Sequence, residues 1–226
     1  MNISYCLPII KNTAAEVLET IRRNDADYSY FEVWLDYINE VDESFMKELV
    51  ELAGGKLILL FRRQNLEDIH MPLQQRLAML DSLTGTVATV DLDITVQTAE
   101  LDYLMEHDSG IRTIVSYHNY RETPDTVRLE EIIGTMDRYR PGVYKLSAMC
   151  GSYEDALRLL DQLLKLKAKE RAAIVLGMGA FGQVTRVFGT LWGNEMTFAP
   201  LDKSEQSAPG QLTKRQLENI FKELRS

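Results

Sequence analysis

The chain has 226 residues, with 25 Lys and Arg against 34 Asp and Glu, and a formal net charge of −9 at pH 7. This acidity excludes a basic nucleic-acid-binding protein, so we expect no nucleic-acid partner. A hydrophobic content of 45% excludes a disordered chain. The length suits one compact domain, expected over residues 1–226.

Neither the start of the chain nor its apolar runs indicate a membrane or secreted protein. The longest apolar runs, such as Leu57–Phe61, are far shorter than the ~20 residues of a membrane span. Met1–Pro8 lacks the basic and apolar stretches of a secretory signal, so we expect a cytoplasmic protein. Cys6 and Cys150 lie far apart without metal-ligand spacing, which predicts two buried thiols and no metal site.

Short apolar segments and amphipathic stretches alternate along the whole chain. In chain order, the predicted strands are Ile3–Ile9, Tyr30–Leu35, Lys56–Phe61, Thr86–Ile94, Arg112–His118, Val143–Met149, Ala172–Met178 and Met196–Pro200. Helical periodicity is found in Thr13–Arg23, Glu43–Ala53, Pro72–Leu83, Thr98–Glu106, Thr126–Tyr139 and Tyr153–Lys169. Eight βα units fill the chain, which predicts a single (β/α)8 TIM barrel of the α/β class. A doubly wound sheet is the alternative, but Leu7–Lys11 lacks the glycine fingerprint of such a fold.

Ionisable residues recur at alternate positions of these strands and therefore share one face. We expect this face to point into the barrel, with its polar groups near the active-site rim. The residues are Glu32 and Asp36, Asp91 and Asp93, Ser116 and His118, and Lys145 and Ser147.

Lys145 lies between apolar residues in Val143–Ala148, which places its amine in a buried strand. Burial lowers the pKa of a lysine and frees the neutral amine that attacks a carbonyl to form a Schiff base. The alternative is a lysine that extends to solvent or pairs with an acid. His118 ends the preceding strand and could transfer protons beside an imine, or it could be a structural histidine.

Two arginines and one loop complete the candidate site. Arg62 ends the third strand and Arg186 follows the seventh, and both guanidinium groups could bind carboxylates. The segment Ser207–Gln211 follows the eighth strand, where a loop could cover the rim, although such a loop is also an ordinary turn.

In this order and spacing, these motifs resemble the type I 3-dehydroquinate dehydratases. The matching motifs are Glu32, Arg62, Val90–Asp93, Val115–Tyr120 with Thr123–Pro124, Tyr144–Met149, Met178–Arg186 and Ser207–Gln211. The resemblance implies a hydro-lyase, a carbon–oxygen lyase that removes water from 3-dehydroquinate by syn elimination to give 3-dehydroshikimate. It also implies a homodimer that uses no metal and no cofactor.

The resemblance further implies a role for each candidate residue. Lys145 would form an imine with the substrate ketone, and His118 would act as general base and acid. Arg186, Ser207 and Gln211 would hold the carboxylate, while Glu32 and Arg62 would bind the ring hydroxyls or orient the site. The anionic substrate would be attracted by the local field of Arg62, Lys145 and Arg186, despite the net negative charge.

The chain departs from the family pattern at four places. Trp34 stands where the family has an arginine, and Cys150 stands where a proline is common. The acidic residue that follows the third strand and orients the histidine is missing, so Glu67 replaces it or the role is vacant. The usual Asp-x-Glu of the fourth strand is Asp91-Leu92-Asp93.

Two alternative functions stay open on the sequence. One is a class I aldolase, although the chain lacks a phosphate-binding glycine loop and offers only Met178–Gly182 in its place. The other is a degenerate barrel that binds a metabolite of the shikimate pathway or a partner protein without turnover. Trp34 and the missing acidic residue after Arg62 favour this alternative.

Overall fold

The computed structural model describes residues 3–224, in which parallel β-strands alternate with α-helices. The strands are β1 (Tyr5–Ile9), β2 (Tyr30–Trp34), β3 (Leu57–Leu60), β4 (Thr89–Asp93), β5 (Arg112–Asn119), β6 (Val143–Met149), β7 (Ala173–Met178) and β8 (Thr197–Phe198). The helices are α1 (Ala14–Asn24), α2 (Glu43–Ala53), α3 (Leu73–Ser82), α4 (Thr98–His107), α5 (Thr126–Asp137), α6 (Tyr153–Ala168), α7 (Gly179–Trp192) and α8 (Lys214–Glu223). The predicted strands and the six named helices are confirmed, with shifts of a few residues at their ends.

The strands form one curved sheet in the order β8–β1–β2–β3–β4–β5–β6–β7, in which all neighbouring strands are parallel. Sequential neighbours pair from β1 to β7, and β8 pairs with β1, without the reversal of strand order that marks a doubly wound sheet. The predicted (β/α)8 barrel is therefore confirmed.

Residues just before β8 and one residue of α7 close the barrel at β7. The backbone N–H of Glu195 donates to the carbonyl of Ala173 at 2.9 Å. The carboxamide of Asn194 accepts from the N–H of Val175 at 2.8 Å and donates to its carbonyl at 3.1 Å. The N–H of Gly177 donates to the hydroxyl of Thr185 at 2.6 Å. These contacts satisfy backbone groups that an open strand edge would expose.

Local sequence explains where several helices begin. In five helices, the N-cap residue is Ser, Thr or Asp, and its side chain accepts a hydrogen bond from a backbone N–H of the first turn. These caps are Thr13, Asp42, Asp125, Ser152 and Thr213.

Side-chain alternation divides each strand between two environments. Outward residues such as Phe31, Val90 and Val175 pack under the helices in the main core. Inward residues near the strand starts form a second apolar cluster that includes Cys6, Ile58, Ile114 and Ile174. Polar inward residues lie further along the same strands. The barrel interior therefore has an apolar layer near the strand starts and a polar layer near the strand ends.

Asp36 does not lie on the inward face, contrary to the prediction. The strand β2 ends at Trp34, and Leu35–Tyr37 forms a 3-10 turn. The carboxylate of Asp36 accepts from the backbone N–H groups of His70 and Met71, at 3.1 and 2.7 Å, and lies 3.2 Å from Arg63 Nη1. Asp36 therefore fixes the segment after β3 instead of lining the barrel.

Both cysteines are buried free thiols, as predicted. Between residues 3 and 224, no helix combines the length and apolar content that crossing a membrane requires.

Candidate active site

A single cavity at the carboxyl ends of the strands is lined by every residue selected from the sequence. Its interior leaves about 30 Å³ for the centres of water molecules. The carboxyl ends of all parallel strands meet at this face of a barrel. The selected residues are Glu32, Arg62, His118, Lys145, Arg186, Ser207 and Gln211. Leu176 and Phe198 also line the cavity from inward positions of β7 and β8, although the sequence motifs did not single them out.

Lys145 lies on β6 in a buried environment with two carboxylates. Its Nζ is 2.6 Å from Oδ2 of Asp91 and 3.0 Å from Oε1 of Glu32, and 4.3 Å from the ring centroid of Phe198. Burial lowers the pKa of Lys145, but Asp91 and Glu32 outweigh burial and raise the pKa above its ordinary value. The sequence-based expectation of a lowered pKa is therefore wrong for this arrangement, in which the lysine is a paired ammonium.

Asp91 links Lys145 to Arg62 across the barrel. Its Oδ1 lies 3.1 Å from Nη1 of Arg62 and accepts from the hydroxyl of Ser116 at 2.6 Å. Although burial raises the pKa of this carboxyl, the charges of Arg62 and Lys145 hold it well below its usual range. Arg62 is itself 2% exposed and also donates to Ser116 and Gln97, so its guanidinium is largely engaged within the protein.

Trp34 supplies a neutral donor where the family pattern has a cation. Trp34 and Glu32 are two residues apart on β2 and so share the inward face. The indole Nε1 of Trp34 donates to Oε2 of Glu32 at 2.9 Å, while Oε1 of Glu32 contacts Lys145. Both carboxylate oxygens of Glu32 are therefore held in place.

His118 lies on β5 and contacts an acid on the neighbouring strand. Its Nδ1 is 2.7 Å from Oδ2 of Asp93, which ends β4. Burial and the charge of Arg62 lower the pKa of His118 below its ordinary value, and Asp93 opposes this shift only in part. Glu67 lies elsewhere, with its carboxylate 3.9 Å from Nε of Arg63. Neither expectation for the acid beside His118 matches this arrangement, because Asp93 contacts the ring and Glu67 does not.

Arg186 reaches the cavity from a helix. The strand β7 leads directly into α7, and Arg186 lies in the middle of that helix with 1% exposure. Within residues 3–224, neither Nε nor Nη1 of its side chain has a hydrogen-bond partner. Burial lowers the pKa of Arg186 to about 10. A buried and unpartnered guanidinium is suited to bind an anion bidentately.

Ser207 and Gln211 belong to a loop that closes over the same cavity. The backbone N–H of Ser207 donates to Oε1 of Gln211 at 2.8 Å, and Nε2 of Gln211 donates to the Ser207 hydroxyl at 2.9 Å. Gly210 has a φ of +81°, and a Cβ there would lie 2.5 Å from the carbonyl oxygen of Gly179. Only glycine fits this close approach, which seats the loop on the start of α7.

The cavity contains carboxylates but no metal-binding geometry. In the part of the chain that the structure describes, no group of three or more His, Cys, Asp or Glu side chains could hold a metal ion. The acids of the cavity instead contact Lys145, Arg62 and His118.

Comparison with known proteins identifies relatives over nearly the whole length. Residues 5–226 match the family model of the type I 3-dehydroquinases. The 3-dehydroquinate dehydratase of Methanothermobacter thermautotrophicus is 31% identical over 215 residues, which cover 94% of this chain and 93% of the relative.

Solved structures show the same fold. The 3-dehydroquinate dehydratase of Geobacillus kaustophilus superposes with a TM-score of 0.85 at 21% identity, covering 100% of this chain and 92% of that one. The type I enzyme of Clostridium difficile, solved with covalently modified comenic acid, gives a TM-score of 0.82 at 20% identity, covering 98% and 92% of the two chains.

Proposed function

The chain belongs to the type I 3-dehydroquinase family, and from this premise we propose that it converts 3-dehydroquinate to 3-dehydroshikimate. The reaction is a syn elimination of water, which makes the protein a carbon–oxygen lyase. The observation that carries the proposal is that Lys145, His118 and Arg186 line one cavity. These residues supply a nucleophile, a base and a carboxylate-binding cation.

The first step is formation of an imine at Lys145. The ammonium must first lose a proton, and the carboxylates of Glu32 and Asp91 are in direct contact with it. The neutral amine then attacks the ketone carbon of the substrate, and the carbonyl oxygen leaves as water. The resulting protonated imine withdraws electrons from the neighbouring carbon.

His118 carries out the elimination. Its Nε2 removes a proton from the carbon next to the imine, and the electron pair moves onto nitrogen to give an enamine. The enamine then expels the hydroxyl group, which takes a proton from the imidazolium and leaves as water. Water hydrolyses the conjugated imine, which releases the product and regenerates Lys145. Overall, the substrate loses one molecule of water.

Arg186 and the loop that contains Ser207 and Gln211 hold the substrate in position. The free Nε and Nη1 of Arg186 pair with the substrate carboxylate, and the side chains of Ser207 and Gln211 add hydrogen bonds. Glu32 binds a ring hydroxyl, and Arg62 orients the site through Asp91.

Reduction with borohydride in the presence of 3-dehydroquinate tests the proposal. The reduced imine is a stable adduct, so intact mass and peptide mapping should place it on Lys145. Lys145→Ala should abolish both turnover and adduct while the circular dichroism spectrum stays unchanged. Lys56→Ala serves as a matched control, because Lys56 is a surface residue paired with Asp25. A folded wild-type protein that binds the ligand without an adduct would instead support the binding-only alternative.

We also propose that the protein is a homodimer that associates through an aromatic patch on α6 and α7. The patch consists of Tyr153, Leu157, Phe181, Phe188 and Trp192. Tyr153 and Leu157 are 60% and 64% exposed, and the rings of Tyr153 and Phe181 meet edge to face at 5.0 Å. Clustered exposed apolar side chains are typical of an interaction surface. A second copy could bury the patch around a twofold axis.

A further inference from the structure

We infer that Asp93 is the positioning residue that fixes the tautomer and direction of the His118 ring. The inference rests on the function proposed above, since it specifies how His118 acts as the base. It concerns a residue of β4, whereas the family pattern places the orienting acid after the third strand.

The contact between the two side chains determines which ring nitrogen carries the proton. A carboxylate can only accept hydrogen bonds, and Oδ2 of Asp93 lies 2.7 Å from Nδ1 of His118. Nδ1 must therefore be protonated when the ring is neutral. The lone pair then resides on Nε2, which is the nitrogen required to remove a proton from a substrate.

Asp93 is held rigidly enough to perform this role. It is fully buried, and its Oδ1 accepts from both the backbone N–H, at 2.7 Å, and the hydroxyl of Thr95. The backbone N–H of Asp93 donates to Oε1 of Gln97 at 3.1 Å. One carboxylate oxygen is thus fixed by the turn into α4, and the other is left for His118.

Glu67 provides the contrast that makes the assignment specific. It lies in the segment after β3, where the family pattern would place the acid, but its side chain is 58% exposed. Its carboxylate approaches Arg63 instead of the cavity. The orienting role has therefore moved from a loop to a strand.

Charged or titratable groups face His118 from four elements. Arg62 follows β3, Asp91 and Asp93 are on β4, Tyr120 follows β5 and Lys145 is on β6. The cations Arg62 and Lys145 lower the pKa of His118, and Asp93 raises it. Loss of the Asp93 charge would therefore lower the pKa of His118 further.

The kinetic test compares Asp93→Asn with Glu67→Gln. In Asp93→Asn we expect kcat to fall about 10- to 100-fold, since part of the general-base contribution is lost, with little change in KM. The acidic limb of the pH–rate profile should move to lower pH, a change that a merely structural role would not cause. Glu67→Gln should leave both quantities unchanged. An Asp93→Asn protein with wild-type kcat and an unmoved acidic limb would overturn the inference.

A second measurement uses the wild-type protein and so does not depend on the folding of a variant. The chain has three histidines, and nitrogen-15 NMR of labelled histidine reports the tautomer of each ring. A neutral His118 with the proton on Nδ1 supports the inference, and a proton on Nε2 overturns it. Absence of a borohydride adduct at Lys145 would overturn the proposed function, whereas the tautomer result would still test the role of Asp93.

Discussion

Nζ of Lys145 and Oδ2 of Asp91 lie 2.6 Å apart, although their strands β6 and β4 are separated by β5. The contact crosses the barrel interior, where both side chains are almost completely shielded from water. A buried ion pair resists dissociation, but removal of one partner leaves an unpaired buried charge that strongly destabilises the protein. In the proposed mechanism, the nucleophile is therefore held as an ammonium beside the carboxylates that must later accept its proton.

Asp91→Asn should destabilise the protein by about 3–5 kcal/mol at pH 7, because it leaves Arg62 and Lys145 with too little compensating charge. Asp25→Asn breaks a surface pair with Lys56, in which the side chains are 58% and 39% exposed. We expect that control to cost less than about 1 kcal/mol. Urea unfolding measures both free energies, and equal losses would contradict the buried-pair account.

The stability difference between the wild type and Asp91→Asn should also depend on pH. The folded-state pKa of Asp91 is lowered, so its carboxylate contributes stability above the unfolded-state pKa of about 3.9, and this contribution is lost as the pH falls. The difference in unfolding free energy between wild type and Asp91→Asn should therefore shrink as the pH is lowered from 7 toward 3. A difference that stays constant over this range would argue against an ionised Asp91.

Arg186→Met should have opposite effects on stability and on function. Replacing a buried, unpartnered guanidinium with an apolar side chain of similar length should stabilise the protein by about 1–4 kcal/mol. Loss of a buried partner for the substrate carboxylate should weaken binding by about 2–5 kcal/mol, or at least about 30-fold. Thermal unfolding and calorimetric titration with 3-dehydroquinate measure the two changes.

Arg76→Met is a suitable control for this prediction. Nε of Arg76 lies 2.6 Å from Oε1 of Glu100, whose side chain is 1% exposed. This substitution leaves a buried carboxylate unpaired and should destabilise the protein. If both arginine variants were destabilised alike, Arg186 would have a structural partner.

Phe188→Glu should weaken the proposed homodimer. The substitution adds a charge to the aromatic patch on both copies and removes apolar contact twice, which costs about 3 kcal/mol or more and raises the dissociation constant about a hundredfold. Val127→Glu is the control, because Val127 lies outside the patch on α5 and is 67% exposed. Sedimentation velocity over a concentration series distinguishes the two. A monomeric wild type, or identical behaviour of both variants, would refute this interface.

The sequence predicted the direction of side chains correctly where that direction depends on a single strand. Alternation along a single strand correctly predicted that Glu32, His118 and Lys145 face inward, since the period of a strand fixes the direction of its side chains. The same rule was wrong for Asp36, because β2 ends at Trp34 and the alternation ends with it. Side-chain parity thus predicts the site only as far as the strands extend.

Relationships between strands could not be read from the sequence in the same way. The raised pKa of Lys145 depends on Asp91 and Glu32, which lie 54 and 113 residues away in the chain. The orientation of His118 by Asp93 depends on the pairing of β4 with β5 and on the turn at Thr95. Such contacts follow from the register and from side-chain conformations, which composition and spacing do not specify.

The distribution of charge in the cavity bears on how substrate arrives. Arg62, Lys145 and Arg186 are balanced in number by Glu32, Asp91 and Asp93, so the net charge of −9 resides on the remainder of the chain. Asp91 contacts both Arg62 and Lys145, so we expect these two cations to attract an anion less strongly at a distance than Arg186 does. Because the remainder of the chain is acidic, we expect an anion that diffuses toward the rim to be repelled until it nears Arg186. Added salt screens that repulsion, so encounter should become faster as ionic strength rises, the reverse of an electrostatically steered enzyme.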